Sequence, residues 1–165
     1  MRGSRVILDD LKRIHTFDKY DALGAAIRQL NSSAVELLRL AYQTWLPEVP
    51  TTRNAAKQLA QELMGRTVVL QSQTELQPAA QHWRDVLQQN GTHISPAVND
   101  DRQPYAVIVL QSNLESEPLH SHGPEPLVVM AQGTTLSEQQ QWILLFGTFV
   151  SIYLAILHGR VPNII

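Results

Sequence analysis

The 165 residues contain no cysteine. That excludes disulfides, thiolate nucleophiles and cysteine-held metals, and it leaves the redox compartment open. Charge is also scarce. Charged residues make up 17% of the chain, against about 25% in ordinary soluble domains. With 13 Lys and Arg against 15 Asp and Glu, the net charge is −2. No basic tract offers a footprint for phosphate backbones, so nucleic acid is not an expected partner. No apolar run reaches the ~20 residues of a bilayer span. The longest, residues 142–157, is interrupted by Gly147, Thr148 and Ser151 and reads as a buried helix. The short apolar run at residues 6–8 is too brief for the core of a signal peptide. A soluble, cytoplasmic protein without membrane contact is therefore expected. Gly-rich nucleotide loops, a nucleophile elbow and a His-Glu-x-x-His pair are also missing, so no cofactor is expected.

What is present suits one folded unit. Apolar residues reach 44%, and a chain of this length can bury roughly two thirds of its unfolded surface. Glutamine takes the place of the missing charge, with a cluster at Gln139, Gln140 and Gln141. Residues 18–30 carry Tyr20, Leu23, Ile27 and Leu30 at helical spacing. A second helix, capped by Ser32 or Ser33, places Val35, Leu38 and Tyr42 on one stripe and ends at Pro47 and Pro50. A third spans residues 52–64, with Ala56, Leu59, Ala60 and Leu63 inward and Gly65 closing it.

From residue 67 the rhythm changes. Residues 67–71, 105–110 and 126–131 are short continuous apolar runs, as expected of strands covered on both faces. Residues 92–95 are a further short strand. Between the first two of these strands lies a helix over residues 77–89, with Pro78 in its first turn and Asn90-Gly91 as its stop. A final helix opens at Ser137, with Gln140 in the capping-box position, and runs to about His158. Alternating strands and helices predict an α/β fold: a three-layer, doubly wound, mostly parallel sheet after an N-terminal helical segment.

Three stretches stand in a fixed order. Asn54, Lys57, Gln58, Leu59 and Ala60 match Asn-Pro-Ala-Lys-Gln-Leu-Ala, with Ala55 in place of the proline. Trp83, Arg84 and Asn90 fall in a pattern Trp-Lys-x-Gln-x-Asn-Glu-Asn-x-Lys. Ser151, Tyr153, Leu154, Ala155, Leu157 and Gly159 match Ser-x-Tyr-Leu-Ala-x-Leu-x-Gly. In order and spacing this set resembles the bifunctional glucose-6-phosphate/mannose-6-phosphate isomerases, specifically their C-terminal sugar-isomerase (SIS) domain. The resemblance covers roughly residues 54–162. It implies an SIS-type sheet of flavodoxin-like strand order at residues 51–165, preceded by a connector-like segment at residues 1–50.

Aldose–ketose isomerisation needs a base over two adjacent carbons, a ring opener and a group that polarises the carbonyl. The resemblance assigns the base to the glutamate of Asn-Glu-Asn, and here that position is Gln89. It assigns the ring opener to a histidine about fifteen residues on. Residues 94–103 hold none, although Asn99 and Asp100 stand where its neighbours are expected. It places a contributing lysine beyond the final Gly-x-x-Pro stretch, past the end of this sequence. The implied function is a sugar-isomerase-like domain, degenerate in its acid–base residues and inactive or weakly active alone. No catalytic residue is assigned.

The substrate-binding candidates are Ser72 and Thr74 after the first strand, where phosphate loops sit in such folds, together with Gln89, Asn90 and His93. Each has an ordinary alternative. Ser72 and Thr74 suit a turn or cap, and His93 suits a strand end. Asp85 stands one turn before Gln89, on the same side of the helix, as a second acid or a solvated carboxylate. His120 and His122 could share one face of an extended segment near Glu115, Glu117 and Glu125, but no obvious third ligand accompanies them, and no metal site is assigned. The last helix is apolar on two faces, so it is either central in the core or shared with a partner. The resemblance implies a homodimer and a sugar-phosphate ligand. Two alternatives stay open: a non-catalytic sugar-phosphate-binding or dimerisation module, and half of a split isomerase needing a separate N-terminal SIS partner. A fragment of a longer protein is a third.

Overall fold

The computed structural model describes residue 8 and residues 33–97, 104–114 and 125–163. The helix expected at residues 18–30, Asn99, Asp100, the His120/His122 pair, Glu115 and Glu117 lie outside the described residues. Helix α1 spans Ser33–Trp45 and α2 spans Ala55–Leu63, with a 3-10 turn at Thr51–Arg53 between them. Strand β1 (Thr67–Ser72) leads through a turn at Thr74–Leu76 into α3 (Gln77–Gln89). Then come β2 (Ile94–Ser95), β3 (Tyr105–Gln111), β4 (Leu127–Met130) and α4 (Leu136–Leu157).

All pairings in the sheet are parallel, in the order β2-β1-β3-β4. Val68 stands beside Ala106, Leu70 beside Ile108 and Leu110 beside Val129. These residues pack with the helices in one large core. Their neighbours Val69, Val107 and Val109 form a second buried cluster. Successive strand residues point to opposite faces, so the sheet is covered on both sides. This is the doubly wound α/β arrangement expected from the continuous apolar runs, with a helical segment, α1, ahead of it. The strand order reverses between β1 and β3, which puts a topological switch point there.

Helix α4 is the centre of the packed layer. By length and composition it is long and apolar enough to cross a membrane, yet 67% of its most apolar window is buried inside the protein. Ile143, Phe146, Phe149, Val150, Ile152 and Tyr153 are all buried. The two apolar faces are therefore both used within one chain. One packs against α1, where Trp45 lies 4.8 Å from Phe146 and Tyr42 lies 5.6 Å from Phe149 between ring centroids. Another packs against α3. There Trp83 Nε1 donates to Ile143 O at 2.8 Å. Gly147 makes this approach possible, because a Cβ at residue 147 would lie 2.2 Å from Trp83 Nε1.

Two helix starts differ from the sequence expectation. The cap of α4 is Thr135 with Glu138, a complete capping box, in place of Ser137 with Gln140. Glu138 also accepts from the N–H and hydroxyl of Thr134 at 2.8 and 2.9 Å. These bonds satisfy otherwise orphaned N–H groups earlier in the chain and draw the start forward. The third predicted helix begins as the 3-10 turn, and α2 proper starts only after Asn54.

Candidate functional site

The residues that carry the family resemblance are, first of all, the joints of this fold. Asn54 caps α2: its Oδ1 accepts from Lys57 N at 3.1 Å, and its Nδ2 donates to Leu46 O at 3.2 Å. Lys57 is fully buried. Its Nζ donates to Pro47 O at 2.8 Å and Val49 O at 3.0 Å, and lies 5.7 Å from the centroid of the Tyr153 ring. Tyr153 donates in turn to Trp45 O. Together the first and last motifs fasten the turn after α1 onto α2 and α4. A buried ammonium is tolerated only where carbonyls and an aromatic face replace its water shell.

Asn90 makes the second joint. It closes α3 and is 1% exposed. Its Nδ2 lies within donating distance of Val86 O (3.0 Å), Ser151 Oγ (3.2 Å) and Asn163 O (3.1 Å). Its Oδ1 accepts from Asn163 N at 2.8 Å. The side-chain amide thus grips the backbone of residue 163 as a neighbouring strand would, and it ties the middle motif to the last one through Ser151. The capacity expected to hold a ligand is spent on the chain itself.

The rest of that rim is open to solvent. Gln89 is exposed, and its Oε1 accepts from Asn163 Nδ2 at 3.4 Å. His93 is exposed, and its carbonyl accepts from Val68 N at 2.9 Å. Gly91, at φ 90°, turns the chain where the Arg160 guanidinium covers it; a Cβ there would lie 2.1 Å from Nη1. Asp85 is exposed and accepts from Gln81 Nε2 at 2.9 Å. His82, half-buried on α3, has Nε2 3.1 Å from Thr148 Oγ1 on α4. Burial lowers its pKa from 6.5, and the Asp85 carboxylate opposes that shift.

Ser72 and Thr74 sit elsewhere. Ser72 ends β1 and Thr74 follows it at the carboxyl edge of the sheet, whereas Gln89 ends α3 and Asn90 and His93 follow it at the amino edge. The thirteen residues of α3 separate the two groups by about 20 Å at 1.5 Å per residue. One hexose phosphate does not span that distance. The five candidates are therefore not brought together as a single pocket within this chain.

The carboxyl edge is the usual ligand crevice of an open α/β sheet. Here it is laced with amides that sequence reasoning did not single out. Gln73 is buried, and its Oε1 accepts from Ser112 N at 2.6 Å. Ser112 Oγ donates to Gln139 Oε1 at 2.6 Å, and Gln139 Nε2 donates to Asn113 Oδ1 and to Gly133 O. Gln140 Nε2 reaches Glu75 O at 2.8 Å. The loops after β1, β3 and β4 are thereby cross-linked. The excess of glutamine was the available signal. Beside this network the Ser72 hydroxyl oxygen is buried with no hydrogen-bond partner, and Thr74 is exposed in the turn leading into α3. The N-terminus of α4, by contrast, is already filled by the carboxylate of Glu138. Among the described residues no group of three His, Asp or Glu side chains is placed to hold a metal ion.

No family model matches the chain, and no curated protein matches it. A solved structure does: a glucose-6-phosphate isomerase like protein from Thermus thermophilus, at a TM-score of 0.62 and 22% identity. The match covers 79% of this chain and 50% of that one, so the present chain spans about half the length of its neighbour. At that identity the likeness establishes a shared α/β fold.

Proposed function

We propose that the chain is a sugar-isomerase-like, SIS-type domain that has lost its acid–base groups and has little or no isomerase activity alone. The carrying observation is Gln89. It stands at the position the resemblance gives to the base, exposed at the end of α3, and an amide does not take a proton from carbon near neutral pH. The supporting fact is the fold shared with a glucose-6-phosphate isomerase like protein. Loss of a positioned base alone costs about 10²- to 10⁴-fold in rate. The ligand class that fits this reading is a sugar phosphate, with the buried, unpartnered Ser72 hydroxyl at the start of the loop before α3 as its phosphate contact.

The test is a coupled assay with glucose 6-phosphate, mannose 6-phosphate and fructose 6-phosphate, run beside thermal-shift titration with the same compounds. Binding without turnover supports a non-catalytic sugar-phosphate module. Strong turnover by the purified chain removes the reading.

A second reading is half of a split isomerase. It is favoured by the half-length match to the neighbour and by the gap of about 20 Å between the Ser72 loop and the Gln89 rim. In it, a second SIS-type domain, or a second copy in a homodimer, brings a phosphate loop to the Gln89 side. Mixing the chain with such a partner and finding activity absent from either alone would establish it.

A further inference from the structure

A further cavity lies away from both groups of candidate residues. It is a groove of about 620 Å³ between α2, β4 and the first turns of α4. Its walls include Leu59 from α2, Val129 from β4, and Trp142 and Phe146 from α4. Three features determine what fits it.

The first is a bare strand edge. Among the described residues β4 pairs only with β3. Ala131 N donates to Gln111 O at 2.8 Å, so alternate residues Leu127, Val129 and Ala131 turn their backbone groups toward β3. Val128 and Met130 turn theirs to the open side. Gln132 Nε2 reaches Met130 O at 3.3 Å; the outward groups of Val128 and the N–H of Met130 remain available. Val128 and Met130 are 52% and 41% exposed. Pro126, in the same outward alternation as Val128 and Met130, has no N–H to offer and ends the free edge there; from Leu127 to Met130 the pairing with β3 runs without a bulge.

The second feature is a donor in the wall. Gln61 Nε2 is buried and has no hydrogen-bond partner. Buried polar atoms are nearly always paired, and a carbonyl entering the groove supplies the missing acceptor. The third is charge. Among the described residues Glu62 is the one charged side chain lining the groove, with no Lys or Arg beside it.

We infer that the α2–β4 groove takes up an extended segment of another polypeptide as an added strand, apolar at alternate positions and basic where it passes Glu62. The backbone of Val128 and Met130 pairs with the incoming strand. Its inward side chains fill the space over Leu59, Trp142 and Phe146, and one of its carbonyls accepts from Gln61. A helix or a small apolar molecule leaves the strand edge unpaired. This surface is independent of any sugar-phosphate site.

The test is selection of nonamer peptides from a random display library on the full chain, followed by titration of the enriched peptides and amide hydrogen exchange. The expected consensus alternates apolar residues and carries Lys or Arg at one end. Bound peptide should slow exchange at Val128 and Met130 by at least tenfold. Glu62→Lys, an exposed position, should weaken binding tenfold or more with the fold intact. Ala55→Trp, which fills the groove from α2, should abolish binding. The inference is overturned if no such consensus emerges, if peptides bind without protecting those two amides, or if neither variant weakens binding. It is equally overturned if the free protein self-associates with the two amides protected, since a second copy is then the occupant.

Discussion

Removing the side chain of Asn90 should weaken the fold more than it affects any ligand. Asn90 is 1% exposed and closes α3. Asn90→Ala deletes the contacts to Val86 O, Ser151 Oγ, Asn163 O and Asn163 N. Two amide hydrogens and one acceptor account for about three effective bonds, each worth about 1 kcal/mol net. Water reaches the freed groups of Asn163, which is exposed, and reduces the loss there. Ser151 keeps its own bond to Thr148 O at 2.8 Å. The expected cost is about 2–3 kcal/mol, or a Tm lowered by roughly 4–12 °C for a chain of this size. Urea unfolding of wild type, Asn90→Ala, Ser151→Ala and the double variant should show a coupling of about 0.5–1.5 kcal/mol between the two sites. Hexose phosphates should shift the Tm of wild type and variant equally. If Asn90→Ala changes stability by less than about 0.5 kcal/mol, or removes a hexose-phosphate shift seen in wild type, Asn90 is a ligand group and the structural reading is wrong.

Other expectations are more local. Gly147→Ala drives a methyl into Trp83 and should cost about 1–3 kcal/mol by overpacking, with a changed Trp emission spectrum; unaltered unfolding and emission would show that α3 and α4 are not this close. Burial lowers the His82 pKa below 6.5, against the opposing pull of Asp85, so the unfolded chain binds the proton more tightly. Its contribution to stability is complete above pH 6.5 and is lost as pH falls through the lowered folded value; His82→Gln should flatten the urea midpoint in that window, and an unchanged slope would refute the assignment. Thr135→Ala removes the α4 cap and should cost about 1 kcal/mol by thermal unfolding. Gln89→Glu should restore no isomerase activity, because residues 94–103, where the resemblance puts the ring-opening histidine, hold none; appreciable turnover would show that only the base was missing.

The strands were legible because parallel strands covered on both faces need unbroken apolar runs. Residues 67–71 and 105–110 read that way, and β1 and β3 end within a residue of them. Helix α3 was legible from Pro78 at its start and Asn90-Gly91 at its end. The start of α4 was misplaced by one or two residues because two Ser/Thr-x-x-Glu/Gln boxes overlap there, and loop hydrogen bonds from Thr134 favour the earlier one. Buried polar pairing was illegible. Whether Lys57 reaches solvent, or Gln73 and Gln139 meet through Ser112, depends on how distant segments cross. The motif residues were visible, but their work was not. Asn54, Lys57, Trp83, Asn90, Ser151 and Tyr153 all bond within the fold. Nearness in sequence also misled: Ser72 ends β1 before the turn into α3, and Gln89 lies at the far end of that helix.

The most direct measurement is turnover of fructose 6-phosphate by the purified chain at saturating substrate, followed through formation of either aldose 6-phosphate. A domain with Gln89 where proton abstraction is needed should give a rate indistinguishable from buffer, with or without bound ligand. A rate constant on the order of 10 s⁻¹, typical of working enzymes, would contradict the account.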